Sequence, residues 1–441
     1  MQAIRDWNAE HRAFTEFIEH GGAVKARLAL TLMLAGSAAL SCREDRPAEP
    51  PAPAGTQLSE QLRSLGYIDF TRVVERDAGK SGVTWHDLER SHPGYNLYNT
   101  RTDNRARLVS MDGDIVHEWY NPDLEGTWHH IEMTPTGDLL VLVKGGYAAR
   151  LLWDSSVSWK ALMNAHHDVS ISEDGSLFVL DREIASISLG PVGVPIVNDA
   201  IALLSAGGDV LQRTFLYDLL KDRLSRRRLV GILLSRWFKR DEGNLERYDV
   251  FHTNTIELVD RDLGGFPTRG GFLICVRELD LVAILDPNVE EIVWSWGPGE
   301  LDRPHQPSLT RRGHVLIFDN GFSRGFSRVV EVNPATGEIV WEYGAEPVDP
   351  FFSAWRGGAQ ELANGNVLIT ESDAGRAFEV TRDGEIVWEF FNPDLVEQAD
   401  GDIRRGAIYR MTRIEAAIVE TLLESPGSSR AGRSAHPASG S

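Results

Sequence analysis

A short strand motif recurs through the chain and limits the folds that the chain can adopt. Each copy has a turn glycine or acid, then apolar residues and an aromatic residue, as in GEIVWEY and GEIVWEF. Short β-rich runs separated by turn signals accompany each copy, a pattern typical of all-β repeat proteins. A sixth and weaker copy lies near Trp159, and the five clear ones are Gly113–Trp119, Gly208–Phe215, Glu290–Trp296, Gly337–Tyr343 and Gly384–Phe390. Six copies predict six repeats.

One complete repeat begins at His305. HQPSL, HVLIFD, SRVVEVN and EIVWEY follow one another as four short runs joined by turns. Four antiparallel strands joined in sequence form a propeller blade. The two ends of the repeat region are complementary. The first repeat has only three strands, GYNLYNT, RARLVSM and GDIVHEW, and lacks a first strand. The missing strand is supplied at the other end of the region by Arg405–Ile414, which has no further strands after it. The chain therefore predicts an all-β fold, a six-bladed β-propeller of four-stranded blades over residues 94–415, sealed by pairing of its two ends.

Composition narrows the range of partners. The chain has 441 residues, of which 42% are hydrophobic, and it can bury a large core. Its formal net charge of -20 disfavours nucleic acid, whose binding needs basic side chains against phosphates. An anionic substrate would need a local cluster of positive groups or hydrogen-bond donors.

The first 93 residues divide into three segments before the repeats. Residues 1–42 contain the apolar run LALTLMLAGSAAL after Lys25 and Arg27, which is typical of a secretory signal or lipoprotein signal segment. A Pro-rich linker, 43–55, and a lead-in, 56–93, follow. We expect a periplasmic or secreted protein, with Cys42 as a candidate lipid anchor to the cell envelope. The alternative role for Cys42 is a disulfide with Cys275, and without it Cys275 is a small buried residue.

Two further segments interrupt or follow the repeats. Residues 216–247 have apolar residues at helical spacing and predict an inserted amphipathic helix or helix pair. Its basic residues either cover the outside of the ring or lie on anionic lipid. Residues 416–441 predict a short helix, EAAIVETLLE, and then a disordered tail.

Histidines recur at one phase of the repeated hairpin. His129, His167 and His305 each stand eight residues before a turn glycine, and His252 begins a fourth such hairpin. In a propeller the first strand lines the central channel, so these imidazoles should converge at one mouth. Antiparallel pairing predicts partners for the four histidines at the ends of the second strands. Those partners are Val143 for His129, Asp181 for His167, Arg277 for His252 and Asp319 for His305.

The predicted cluster has several chemical interpretations. Imidazoles with Arg277 and the amide of Asn254 suit an oxyanion with several equivalent oxygens. A transition metal is a competing ligand, although the arginine opposes a cation and no H-x-x-x-H or H-E-x-x-H pair occurs. At least one of His129 and His130 is expected to have a packing or hydrogen-bonding role, and only one of His166 and His167 should face the channel. Asp181 and Asp319 can simply accept hydrogen bonds from loops, and we expect the repeated WEY and WEF aromatics to pack between blades.

The motifs resemble those of the bacterial arylsulfate sulfotransferases. The resemblance is contained in HHDVSISEDG, DVFHTNTI, FLICVREL and PHQPSLTRRGHVLIFDNG, in this order. It implies a six-bladed propeller that moves a sulfuryl group from a phenolic sulfate ester to a phenol acceptor without a nucleotide donor or other cofactor.

The same resemblance implies roles for individual residues. His305 matches the nucleophile, which passes through a sulfohistidine. His252, Asn254 and Arg277 match the groups that hold the sulfuryl oxygens, and His167 or His166 matches a donor to the phenol oxygen. His129 becomes a bystander.

Two other functions remain open from the sequence. One is a non-enzymatic binding or scaffold propeller of the cell envelope. The other is a quinone-cofactor propeller, because NPATGEIVW resembles the tryptophan docking motif of quinoproteins. Those proteins usually have eight blades, whereas this chain predicts six.

Overall fold

The computed structural model describes residues 70–100, 103–189, 192–225, 229, 248–344, 351–398 and 401–424. The predicted signal segment with Cys42, the linker and the C-terminal tail lie outside these residues. Most of the predicted helical insertion, including most of its basic residues, lies outside them too.

The described residues are predominantly strands. In chain order the strands are β1 (Phe70–Arg72), β2 (Gly82–His86), β3 (Tyr95–Thr100), β4 (Arg105–Val109), β5 (Ile115–Tyr120), β6 (Trp128–Met133), β7 (Leu139–Val143), β8 (Tyr147–Leu151), β9 (Val157–Leu162), β10 (Val169–Ile171), β11 (Leu177–Leu189), β12 (Val192–Leu204), β13 (Val210–Phe215), β14 (Thr253–Leu258), β15 (Phe272–Val276), β16 (Leu281–Leu285), β17 (Ile292–Trp296), β18 (His305–Leu309), β19 (Val315–Asp319), β20 (Arg328–Val332), β21 (Ile339–Tyr343), β22 (Gly358–Glu361), β23 (Val367–Glu371), β24 (Arg376–Val380), β25 (Ile386–Phe391), β26 (Leu395–Glu397), β27 (Ile403–Gly406) and β28 (Ile408–Ile414).

These strands form antiparallel sheets, most of them four-stranded. Five sheets have the orders β28-β3-β4-β5, β6 to β9, β10 to β13, β14 to β17 and β18 to β21. Another has five strands in the order β2-β25-β24-β23-β22, and β1, β27 and β26 make a small three-stranded sheet. The all-β prediction is confirmed. Each predicted fourth strand, including the weaker one at Trp159, is observed as the last strand of a four-strand set.

The two ends of the repeat region pair as predicted. β28 pairs antiparallel with β3, with Met411 opposite Tyr98. The lead-in adds a contact that the sequence did not indicate, because β2 pairs with β25 and extends that sheet to five strands. The start of the described chain thus pairs with the last repeat through β2, and with the C-terminal strand β28 through β3.

The first strands of successive sheets are hydrogen-bonded to one another. The Ile256 amide donates to Asp168 across β14 and the start of β10, and the Gln306 amide donates to Thr255 across β18 and β14. The Ser308 hydroxyl donates to the carbonyl of Ala359, and the Arg413 amide donates to the side-chain oxygen of Gln360. Two further contacts link the remaining sheets. The Asn99 side-chain nitrogen donates to the Trp128 carbonyl, and His130 Nε2 lies 3.2 Å from the Asp168 carboxylate. Among the described residues, each of the six larger sheets therefore contacts the next one through residues at or beside the first strand of its order, β22 in the five-stranded sheet.

The cores lie between neighbouring sheets. Second strands such as β15, FLICV, are buried throughout, as expected for strands covered on both faces. The repeated aromatics reach the next sheet: Trp296 donates its indole N–H to the carbonyl of Gly337, and Trp341 donates to that of Arg382. Their predicted packing between sheets is confirmed.

Helices are few in the described part of the chain. Tyr217–Leu220 forms the short helix α1, and Ala416–Glu424 forms α2 where the sequence predicts a helix. Single 3-10 turns lie at Glu75–Asp77, Lys221–Arg223, Arg277–Leu279 and Ser372–Ala374. Among the residues described, no helix has the length and apolarity needed to cross a bilayer.

Candidate active site

The histidines lie at one end of the first strands, where those strands are irregular. Pairing shifts register at this end of β6, β14, β18 and β28. His167 and His252 have φ values of 55° and 51°, in the left-handed region that non-glycine residues rarely adopt. Bulges re-aim side chains, and such backbone conformations concentrate at functional sites. Bulges and left-handed backbone conformations therefore set the positions of the histidine side chains.

Bulges also explain two errors in the predicted pairing. His305 pairs with Phe318 and not with Asp319. In β6, the partner predicted for His129, Val143, pairs with the residue before it. A bulge places two residues opposite one, so counting from the turn glycine is wrong by one beyond it.

The predicted pairing of His252 with Arg277 is confirmed. The Arg277 amide donates to the His252 carbonyl at 3.3 Å. Asp181 also lies beside its predicted strand end, because its carbonyl contacts His166 Nε2 at 3.2 Å. The carboxylates of Asp181 and Asp319 pair with arginines, namely Arg213 for Asp181 and Arg324 and Arg328 for Asp319.

Imidazole rings from three sheets are in direct contact. The ring centroids of His167 and His252 are 4.7 Å apart, and those of His129 and His167 are 4.8 Å apart. Tyr409 continues the row at 4.6 Å from His129, and its hydroxyl donates to the His167 carbonyl. The predicted convergence holds for these histidines. His129 lies inside the cluster, although the family resemblance had made it a bystander.

Hydrogen bonds define the tautomers of His166 and His167. His166 Nε2 faces the carbonyl of Asp181, which can only accept, so this nitrogen has the proton. Burial lowers the pKa of both imidazoles well below the usual value, so both are neutral. The Nδ1 atoms of the two rings are 2.9 Å apart. His167 Nδ1 must then donate to His166, and the Nε2 atom of His167 has a lone pair that can accept a proton.

His252 is paired with a carboxylate. Its Nδ1 is 2.6 Å from Asp249 Oδ2, and its amide donates to the other carboxylate oxygen at 2.7 Å. Both side chains are buried. A carboxylate at Nδ1 orients an imidazole and stabilises its protonated form. His252 is thus the histidine of this cluster best suited to hold a proton on Nε2.

The surroundings of His305 also define the position of its proton. Its Nδ1 lies 2.8 Å from Asn320 Oδ1 and 3.2 Å from the carbonyl of Arg303. The Asn320 amide nitrogen donates to the carbonyls of Ser353 and Arg356, so the oxygen of this side chain must face His305. Nδ1 therefore has the proton, and Nε2 has a free lone pair.

Burial and nearby positive charge keep His305 neutral. Burial, with a contribution from the Arg277 guanidinium, lowers the pKa of His305 to about 3. Arg356 acts in the same direction. Arg277 is itself held by Glu278, with Nη2 at 2.8 Å from Oε1. An unprotonated imidazole under the electrostatic influence of two guanidinium groups suits attack on an anionic centre.

Asn254 is engaged with the backbone that leads to His305. Its side-chain nitrogen donates to the Pro304 carbonyl at 2.9 Å, and its oxygen accepts from Thr255. The thiol of Cys275 is 3.1 Å from the same carbonyl. The structure thus places Asn254 between the strands of His252 and His305.

The metal interpretation gains no support from the structure. Within the ranges that it describes, no group of three or more His, Cys, Asp or Glu side chains is arranged to hold a metal ion. The nitrogens that face one another, Nδ1 of His166 and His167, form a hydrogen bond instead.

A cavity of about 1060 Å³ lies on the other side of the histidine layer, along the same first strands. Its lining includes Asp168, Glu257 and Arg410, with Arg410 Nη1 3.2 Å from Asp168. Burial raises the pKa of Glu132 and of Glu257 to about 7. We call this end of the first strands the carboxyl end, after its carboxylate side chains. It differs in charge from the histidine end.

The sequence analysis did not identify three residues of the site, Asp249, Asn320 and Tyr409. A usable signal existed for Asp249, because an acid three residues before a histidine can accept from both its amide and its ring. Asn320 directly follows a second strand, but its role depends on carbonyls of the next sheet. Tyr409 does not stand at a fixed spacing from a turn glycine, as the histidines do, so the repeat pattern did not identify it.

Comparison with known proteins gives matches in solved structures and in one family. A solved protein of unknown function from Bacteroides caccae is 16% identical, with a TM-score of 0.48, covering 73% of this chain and 98% of its own. Streptogramin B lyase is 13% identical, with a TM-score of 0.43 and coverage of 78% and 97%. BamB from Moraxella catarrhalis is 12% identical, with a TM-score of 0.34 and coverage of 76% and 98%. No curated protein matches the sequence.

The family match spans the candidate site. The model of the arylsulfotransferase (ASST) family matches residues 154–393, which is more than half of the chain. The matched range contains every residue predicted for the site: His166, His167, His252, Asn254, Arg277 and His305. The chain therefore belongs to the arylsulfotransferase family.

Proposed function

We propose that the protein transfers a sulfuryl group from an aryl sulfate ester to a phenol, with His305 as the covalent carrier. Family membership supports aryl sulfotransferase activity in general. The observation that carries the finer proposal is the tautomer of His305. Asn320 holds the proton on Nδ1, so that a neutral Nε2 lone pair is available beside Arg277.

In the first half-reaction, Nε2 of His305 attacks the sulfur of the ester. The N–S bond forms as the bond from sulfur to the aryl oxygen breaks, and the aryloxide leaves with the electron pair. In this proposal Arg277 and Asn254 hold the non-bridging oxygens, as the electrostatics of such a transfer requires. His252, oriented by Asp249, donates its Nε2 proton to the leaving oxygen.

In the second half-reaction, the acceptor phenol attacks the same sulfur. The N–S bond breaks and its electron pair returns to Nε2 of His305. The proton of the phenol passes to Nε2 of His167, which accepts because Nδ1 donates to His166. Proton exchange between His167 and His252, whose rings are in contact, restores the starting state. No external cofactor enters the sequence of steps.

The six larger sheets are, in this proposal, the blades of one closed six-bladed propeller. Support comes from the circuit of hydrogen bonds between inner strands and from the pairing of β28 with β3. In such a ring the inner strands line a central channel, with the histidines at one mouth. That arrangement explains why residues from four sheets meet.

Steady-state transfer from 4-nitrophenyl sulfate to a phenol tests the proposal. His305→Ala should abolish turnover, whereas His314→Ala should leave it intact, because His314 lies in the same hairpin but is paired with Glu331. Wild-type protein without transfer, or His305→Ala protein that retains it, contradicts the proposal. Thermal unfolding of both variants checks that each is folded.

We also propose that the protein is exported and attached to the envelope through a lipid on Cys42. The support is the apolar run before Cys42 and the Pro-rich linker after it. Fractionation of cells that express the wild type or Cys42→Ser tests this. Cytoplasmic protein would contradict export, and equal membrane recovery of both proteins would contradict the lipid anchor.

A further inference from the structure

The repeated hairpin lacks a histidine in one sheet beside His305. Gly357 stands eight residues before Gly365, the same distance that separates His305 from Gly313. Its φ of 144° lies in the range that favours glycine, and an added Cβ would meet the ring of Phe318. This sheet therefore contributes no side chain at the histidine position. The residues before it, Trp355 and Arg356, border that position instead.

Three side chains form a stacked group at this place, here called the aryl shelf: Arg303, Phe322 and Trp355. The Arg303 guanidinium lies 4.5 Å from the centroid of Phe322 and 5.3 Å from that of Trp355. The two rings are 4.8 Å apart. All three side chains are half-buried, so part of each surface is accessible.

The aryl shelf is attached to His305 through two short links. The Arg303 carbonyl is 3.2 Å from His305 Nδ1. On the other side, the carbonyl of Arg356, next to Trp355, accepts from Asn320, whose oxygen contacts the same Nδ1. Arg303 has a φ of 56° and its amide donates to Asp280 at 2.7 Å, which holds this unusual backbone.

The charges and the aromatic rings match two halves of one substrate. Burial lowers the pKa of His305, and the Arg277 and Arg356 guanidinium groups act in the same direction, so the surroundings of this imidazole favour an anion. An aromatic ring on the ester then has Phe322 and Trp355 as stacking partners, with the Arg303 guanidinium over both rings. An alkyl chain has no equivalent π contact.

We propose that Arg303, Phe322 and Trp355 bind the aromatic ring of the sulfate ester and select aryl over alkyl groups beside His305. This inference rests on the proposed function, because it assigns the ring-binding part of the same site. It predicts that removing one aromatic surface weakens binding of aryl ligands by about 3-fold to 10-fold, the usual range for an aromatic pair.

Unreactive sulfonates allow the shelf to be tested without chemistry. Calorimetry on the His305→Ala protein should show tighter binding of 2-naphthalenesulfonate than of hexanesulfonate. Trp355→Leu in that background should remove the difference, and Trp355→Phe should retain part of it. Trp341→Leu is the matched control, because Trp341 also stacks on an arginine, Arg382, but lies in β21. It should keep the full preference.

Kinetics provide the second readout. In otherwise wild-type protein, Trp355→Leu and Phe322→Leu should raise KM for 2-naphthyl sulfate by the same factor and leave kcat nearly unchanged. A preference for naphthalenesulfonate that survives both leucine variants overturns the shelf. Loss of sulfuryl transfer in wild-type protein with the preference intact overturns only the proposed function. If Trp355→Leu fails to fold, the Phe322→Leu and Trp355→Phe results decide.

Discussion

The two ends of the inner strands differ in charge although one repeated hairpin forms both. At the histidine end, the rings of His129, His167 and His252 form a row of contacts, and the Arg277 and Arg356 guanidinium groups add to the effect of burial in lowering the pKa of His305. At the carboxyl end, Glu132, Asp168 and Glu257 surround Arg410 and line a cavity. The repeat thus specifies where side chains point, and the individual residues specify which ligand is attracted. The proposed function therefore assigns the sulfate ester to the first end.

The strongest test of this comparison removes the charge of one arginine at each end of the strands, Arg277 or Arg410. Arg277→Gln should lower kcat/KM for aryl sulfates by about 100-fold to 1000-fold, the range seen when one group that stabilises transition-state charge is removed. Arg410→Gln should change it by less than about 10-fold, because this arginine pairs with Asp168 at the other end. Steady-state kinetics with folded variants measures both values. Equal losses would mean that the cavity takes part in transfer.

A smaller effect is expected from the group that sets the tautomer of His305. Asn320→Leu removes the nearer of the two acceptors at Nδ1 and leaves the Arg303 carbonyl. It should lower kcat by about 10-fold to 100-fold, the range seen for groups that orient a metal-binding histidine. Nitrogen NMR of His305 gives a readout specific to this role, because the wild type should have its proton on Nδ1 and the variant a mixture. A variant with unchanged tautomer and reduced kcat would show that Asn320 acts only through packing.

The smallest effect concerns stability at the carboxyl end. The folded pKa of Glu132 and of Glu257 is about 7, above the ordinary value of 4.5, mainly because of burial. Their protonated forms are favoured in the folded state, so stability is full below pH 4.5 and is lost as pH rises through 7. The double variant Glu132→Gln, Glu257→Gln should therefore unfold a few degrees higher than wild type at pH 8 and at nearly the same temperature at pH 4. The effect is modest because the Glu132 side chain is 34% exposed.

Thermal unfolding across this pH range measures the difference between the two proteins. Glu397→Gln, on an exposed strand, is the control and should follow wild type. A double variant whose unfolding temperature stays parallel to that of wild type from pH 4 to pH 8 would contradict the electrostatic description of the carboxyl end.

Most of the strand framework could be predicted from local sequence. Turn glycines and aromatic fourth strands marked the repeats because turn chemistry and two-residue periodicity act over a few residues. Even the weak copy at Trp159 forms a fourth strand, β9, and the end strands pair as expected. The added fifth strand, β2, was missed because its pairing depends on a partner about 300 residues away.

The site was less predictable because bulges and contacts between sheets determine it. Counting from turn glycines located His252 beside Arg277 but placed His305 opposite Asp319 instead of Phe318. The orientation of Asn320 depends on two carbonyls from the following segment, which no local pattern encodes. Residue identity therefore indicated the chemistry, and the tertiary structure was needed to assign the proton on each ring.

The central claim is that His305 becomes covalently sulfurylated, and peptide mass spectrometry tests it most directly. The protein is mixed with 4-nitrophenyl sulfate without an acceptor, quenched at alkaline pH and digested. We predict a mass increase of one SO₃ group on the peptide that contains His305, lost when a phenol is added before quenching and absent from His305→Ala. An adduct on another histidine, or none in protein that is active in transfer, would contradict the account.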